Sequence, residues 1–113
     1  MATVYGMHEI ELRAEVDPEE YEAWFAEEVA GQPLLPGWKA HLLRGDRGRR
    51  AVNYLLVFEI DSDEDRDRYF TAENEESEEL AQYLAEHPEI AEVWQRARSF
   101  EAADVATDYE VVF

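Results

Sequence analysis

The chain has 113 residues, with 28 Asp and Glu against 10 Lys and Arg, a formal net charge of −18. That length suits one domain, residues 1–113, with a modest core, and 46% apolar residues with three Trp, six Tyr and five Phe argue against disorder. The absence of cysteine excludes disulfides, thiolate metal sites and cysteine nucleophiles.

The N-terminus shows no basic stretch followed by an apolar run, and no segment approaches the ~18 apolar residues that span a bilayer. A cytoplasmic protein is expected. So acidic a surface repels nucleic acid and anionic lipid, so neither nucleic acid nor membrane is an expected partner. Large single-sign charge destabilises a compact state by self-repulsion, a cost that fades when salt shortens the Debye length to roughly 3 Å at 1 M. Lys39 is the single lysine, and arginine carries less strongly hydrated charge. The composition reads as that of a halophilic microbe with a salt-filled cytoplasm.

Residues Thr3 to Arg13 alternate, Val4, His8, Ile10 and Leu12 against Tyr5, Met7, Glu9 and Glu11, which predicts a strand. Asp17-Pro18-Glu19-Glu20 supplies an N-cap acid and a proline at the first helical position. The helix that follows should bury Tyr21, Trp24, Phe25 and Val29 and stop at Gly31, before a connector bracketed by Pro33 and Pro36-Gly37. A second strand is predicted from Trp38 to Arg44 and a third from Ala51 to Ile60, joined by a glycine-bearing hairpin loop, residues 45–50. Asp61-Ser62 caps the next helical region, and Glu73 to Glu79 reads as a solvated loop or helix edge. Helical periodicity resumes at Leu80, Tyr83 and Leu84, breaks at His87-Pro88, and continues through Ile90, Val93, Trp94 and Ala97. The alternation of Val105, Thr107, Tyr109, Val111 and Phe113 predicts a last strand running to the end.

The order β-α-β-β-α-β is that of an α+β, ferredoxin-like domain: an antiparallel four-stranded sheet, first and third strands adjacent, helices on one face. The other face would show Tyr5, Met7, Leu43, Leu55 and Val57 to water, an apolar patch on the order of several hundred Å² that monomers seldom expose. A homodimer closing over that face, a dimeric α+β barrel, is the expected assembly.

Leu35-Pro36-Gly37-Trp38, leading into the second strand, and Asn53-Tyr54-Leu55-Leu56-Val57-Phe58-Glu59-Ile60, followed by an acidic helix start, resemble the dimeric α+β barrel superfamily. That group includes antibiotic-biosynthesis-type and haem-degrading monooxygenases and stress-responsive A/B barrel proteins. The resemblance implies a pocket for a small apolar or aromatic ligand and oxygenation that is either cofactor-independent or haem-linked. It also implies an alternative, a non-catalytic ligand-binding or stress-response module. The chain departs from the pattern where a tryptophan often follows the third strand: Tyr69-Phe70 stands there and Trp94 comes later.

If facing follows alternation, His41, Asn53 and Glu9 project toward the barrel interior as candidate catalytic residues. The alternative for these three is a polar cluster that pins the dimer register, or pairing with Lys39 and Arg44. His8, Trp38, Tyr54 and Tyr5 are the candidate ligand-pocket residues. His8 reads either as a satisfied core histidine or as a haem or metal ligand, and His87 as a surface residue at a helix end. No metal-binding motif appears, and Asp61-Ser62-Asp63-Glu64-Asp65 is better explained by helix capping. Arg44, Arg47, Arg49 and Arg50 form a positive island on the hairpin, suited to a partner subunit's acidic helix or to an anionic ligand such as a haem propionate.

Overall fold

The computed structural model describes residues 2–32, 34–49, 53–72 and 75–113. Pro33, Arg50, Ala51, Val52 and Glu73, each part of an expectation above, lie outside the described residues. The elements run β1 (Val4–Leu12), α1 (Pro18–Glu28), β2 (Trp38–Arg44), β3 (Tyr54–Ile60), α2 (Asp63–Asp67), β4 (Phe70–Ala72), β5 (Glu75–Glu76), α3 (Glu78–Glu86), α4 (Pro88–Phe100) and β6 (Glu101–Glu110). The main sheet is antiparallel in the order β2-β3-β1-β6, with β1 in the middle between β3 and β6. This is the ferredoxin-like α+β fold.

The caps work as the sequence suggests. Asp17 accepts from the Glu19 backbone N–H at 3.0 Å with Pro18 in the first turn, and Ser62 accepts from Asp65 N at 3.1 Å. Ser77 opens α3 by accepting from Leu80 N at 3.1 Å. Gly37, at φ +82°, turns the chain into β2, and a Cβ there would meet the Asp65 carboxylate at 3.0 Å. Only glycine combines that backbone conformation with that approach.

Alternation assigns every sheet residue to one side. Register places Val4 beside Ile60, Gly6 beside Phe58, His8 beside Leu56 and Ile10 beside Tyr54 on the helix side. Ile10, Tyr21, Tyr54 and Phe100 form one cluster there; Phe25, Val29, Leu34 and Ile90 form a second; Leu35, Tyr69 and Leu80 form a third.

Three expectations need correction. The last strand ends at Glu110; Val111 still donates to the Thr3 carbonyl at 2.9 Å, but Val112 and Phe113 lie exposed beyond the ladder. The acidic stretch after α2 begins in part as strand, since β4 and β5 pair as a small ribbon ahead of α3. The open sheet face is also better covered than alternation suggested. Val57, between His41 of β2 and Met7 of β1, is only 5% exposed, and the apolar exposure sits at Leu43, Val105 and Tyr109.

Leu80 is fully buried against Leu35 and Tyr69 and ties α3 to the loop before β2. Leu80→Ala is expected to cost about 2–5 kcal/mol, as other buried leucines do, read as a lower denaturant midpoint at unchanged slope.

Candidate functional site

A cleft of about 840 Å³ opens between the helix side of the sheet and the helical layer. Its floor includes small residues: Gly6 of β1, Ala40 of β2 and Ala106 of β6. A Cβ on Gly6 would meet the Asp108 carboxylate at 3.3 Å, so glycine keeps the floor low.

A continuous series of rings runs along the cleft. His8 meets Phe58 edge-on at 5.3 Å between centroids, Phe58 meets Trp38 at 5.6 Å, and Trp38 meets Phe70 at 5.7 Å. Phe70 then stacks on Trp94 at 6.4 Å and 25°. These five residues come from β1, β3, β2, β4 and α4 and all line the cleft. The turn at Gly37 aims Trp38, whose Nε1–H donates to the Asp65 carbonyl at 3.4 Å.

Beside the rings stands a polar set. His8 Nδ1–H donates to Asp104 at 2.9 Å and 3.2 Å, and because a carboxylate only accepts, Nδ1 carries the proton. In that tautomer Nε2 is the ring's acceptor. Glu101, half-buried where β6 leaves α4, shares the cleft with them. Burial pushes its carboxyl up to about 7; the neighbouring Asp104 charge adds to the rise, and His8 and Arg98 partly oppose it. Among the described residues, Arg66 and Arg98 are the cations of the cleft; Lys39 borders it along β2, but register puts its side chain on the open face, 4.0 Å from Glu59. Arg66 is engaged by Asp67 at 3.0 Å and Asp108 at 3.5 Å.

His8 and Trp38 thus line the cleft, but the other proposed residues are dispersed. Tyr54 faces the helix side away from the cleft, over a shallow depression of about 220 Å³ beside α1. Its hydroxyl donates to Glu22, which also holds Arg44 at 3.2 Å. Burial first, and Glu22 second, push Tyr54 up to about 12, while the hydrogen bond from Tyr54 holds Glu22 below the usual carboxylate range. Tyr5 lies on the open face, donating to Glu59 at 3.4 Å. His41 and Glu9 are on that same face but two strands and one row apart, His41 beside Val57 and Glu9 beside Leu55. Asn53 is exposed ahead of β3, its carbonyl accepting from Gly45 N at 3.0 Å. His87 caps a helix end, donating from Nδ1 to the Tyr83 carbonyl at 2.9 Å and stacking on that ring at 4.1 Å. Arg44 is held within its own chain, leaving Arg47 and Arg49 exposed on the hairpin.

Sequence reading missed Glu101, Asp104, Phe70, Trp94 and Arg98. Glu101 and Asp104 are signalled only by their spacing at the start of a strand and Trp94 by helical periodicity; Phe70, in β4, and Arg98 carry no signal of their own. Among the described residues no group of three His, Cys, Asp or Glu side chains is placed to hold a metal ion.

Between the ordinary carboxylate value and about 7, the native state holds the Glu101 proton that the unfolded chain has released. The native state binds more protons there, so this group's contribution to stability falls as pH rises through that window. Glu101→Gln is therefore expected to raise the thermal midpoint at pH 8 but not at pH 4. Discounted for partial exposure, the gain is roughly 4 °C, what about 1 kcal/mol yields in a domain of this size.

No protein-family model matches the chain, and no curated protein matches it by sequence. Solved structures do. A dimeric ferredoxin-like protein of unknown function from Bacteroides fragilis is 19% identical with a TM-score of 0.59, over 96% of each chain. The haem-degrader MhuD of Mycobacterium tuberculosis, with two haems bound in its active site, is 24% identical with a TM-score of 0.57, over 97% of this chain and 96% of its own. A dimeric ferredoxin-like protein of unknown function from Thermobifida fusca is 13% identical with a TM-score of 0.55, over 97% of this chain and 92% of its own. At these identities the likeness shows the fold: this chain is similar along nearly its whole length to ferredoxin-like α+β proteins.

Proposed function

We propose that the protein is a cytoplasmic homodimer whose cleft binds a planar aromatic ligand, in the service of haem-linked or cofactor-independent oxygenation. One observation carries this reading: the ring series His8–Phe58–Trp38–Phe70–Trp94 along a cleft of about 840 Å³. That volume lies within the roughly 300–1,000 Å³ of small-molecule sites. Flat π faces favour flat π ligands, and the haem-degrader among the similar structures binds such a ligand.

The residues present fit haem by their chemistry. His8 offers an imidazole oriented through Nδ1 by Asp104, the rings and small floor residues suit a macrocycle, and Arg98 suits an acidic group on it. Bound haem would supply the redox-active iron. The chain's own part is to exclude water with the rings, to hold the His8 tautomer, and to offer a proton-exchanging carboxyl at Glu101.

The homodimer reading rests on Leu43, Val105 and Tyr109, 50%, 60% and 56% exposed on the sheet face away from the helices. Two of the similar structures are dimeric proteins. His41 and Glu9 share that face, and their separation favours a role in setting the register between sheets over joint catalysis with Asn53. No helix among the described residues is long and apolar enough to cross a membrane.

Hemin titration tests the haem branch. A saturable Soret shift is expected in the unaltered protein and in His41→Ala, and its loss in His8→Ala. A shift that survives in His8→Ala counts against His8 as the ligand; no shift, with no oxygen uptake on aromatic substrates, leaves ligand binding without catalysis. Sedimentation in about 1 M salt, where self-repulsion is screened, is expected to show a dimer that becomes monomeric in the Leu43→Glu, Val105→Glu double variant.

A further inference from the structure

We propose that Glu101 is the polar recognition residue of the cleft, and that the ligand it selects is an aromatic compound bearing a ring hydroxyl, which donates its hydrogen bond to the Glu101 carboxylate. This rests on the reading of the cleft as an aromatic-ligand site and adds the substrate class. The geometry has three parts. Glu101 lines the same cleft as the ring series and is half-buried there. Among the described residues its side chain makes no hydrogen bond and no ion pair, whereas the neighbouring Asp104 is already occupied by His8. The charged and titratable groups around it are His8 from β1, Asp104 from β6, Arg98 from α4 and Tyr21 from α1. None of them donates to it, so the carboxyl has open acceptor capacity at a place where water access is restricted.

A partly desolvated carboxylate is costly without donors, and a ligand that brings one repays that cost. An aromatic hydroxyl is a matched donor: it stays protonated to about pH 10, as the tyrosine hydroxyl does, and its ring suits the wall of Trp38, Phe58 and Phe70. A carboxylate group placed at Glu101 itself would instead meet the Asp104 charge as well. An unsubstituted hydrocarbon would fill the cleft while leaving Glu101 without a donor. The hydroxyl-bearing ring satisfies both surfaces.

The test uses 2-naphthol and naphthalene as probes, with Glu101 followed by the ¹³C resonance of its side-chain carboxyl in the full protein. The unaltered protein should bind 2-naphthol more tightly than naphthalene, by tryptophan fluorescence. Its 2-naphthol affinity should rise about tenfold from pH 6 to pH 8, the change that one unit of displaced titration produces. The Glu101 midpoint, near neutrality without ligand, should fall with 2-naphthol and rise with naphthalene, which excludes water but donates nothing. Glu101→Gln should flatten the pH profile and shrink the preference for 2-naphthol over naphthalene. The proposal is overturned, with the aromatic-cleft reading intact, if both probes bind equally, if the pH profile persists in Glu101→Gln, or if the Glu101 midpoint stays in the ordinary carboxylate range. If neither probe binds, the aromatic-cleft reading fails and this inference falls with it.

Discussion

The alternation of β1 between two antiparallel partners is the constraint on which the rest of the molecule depends. Because β1 pairs with β3 on one side and β6 on the other, its residues divide the domain into a helix side and an open side. Val4, Gly6, His8 and Ile10 go to the first; Tyr5, Met7 and Glu9 go to the second. A slip of one residue would exchange the two sets, burying Glu9 under the helices and moving His8 out of the cleft. Burial of Val4 and Ile10, both essentially inaccessible, sets the register that places His8 and Gly6 in the cleft. Core and site are therefore consequences of one pairing.

The cleft is where this acid-rich chain meets low dielectric. Most of its carboxylates remain in solvent, where they cost little once screened, and several hold arginines at the surface, as Glu79 does Arg68 at 3.1 Å. Asp104 is exposed and accepts from His8, whereas Glu101 is half-buried with no donor among the described residues, and burial first, with the Asp104 charge second, pushes its carboxyl up to about 7. Two acids three residues apart thereby acquire different chemistry from their surroundings alone.

Aromatic packing has a comparable logic. Phe70 from the β4 ribbon stacks on Trp94 from α4 and also meets Trp38 from β2. The wall is built from distant parts of the chain. Its shape depends on the turn at Gly37, where a left-handed backbone and the adjacent Asp65 carboxylate leave no space for a side chain.

Much of the architecture was legible because it is local. Period-two alternation in β1 and β3, the Asp17 and Ser62 caps, the break at His87-Pro88 and the element order all follow from neighbours a few residues apart, and they sufficed for a ferredoxin-like fold. Alternation also identified His8 and Trp38 as facing the helix layer and His41 and Glu9 as facing away. What alternation cannot supply is position along a face. Tyr54 and His8 share a side, yet Tyr54 is drawn to Glu22 beside α1 while His8 lies in the cleft. Glu101 looked like one acid among 28, and only the packing of α4 and β6 around it separates it from the others. Strand parity and caps are written in nearest neighbours; desolvation and ring contacts are sums over residues far apart in the chain, so they exist only once it has folded.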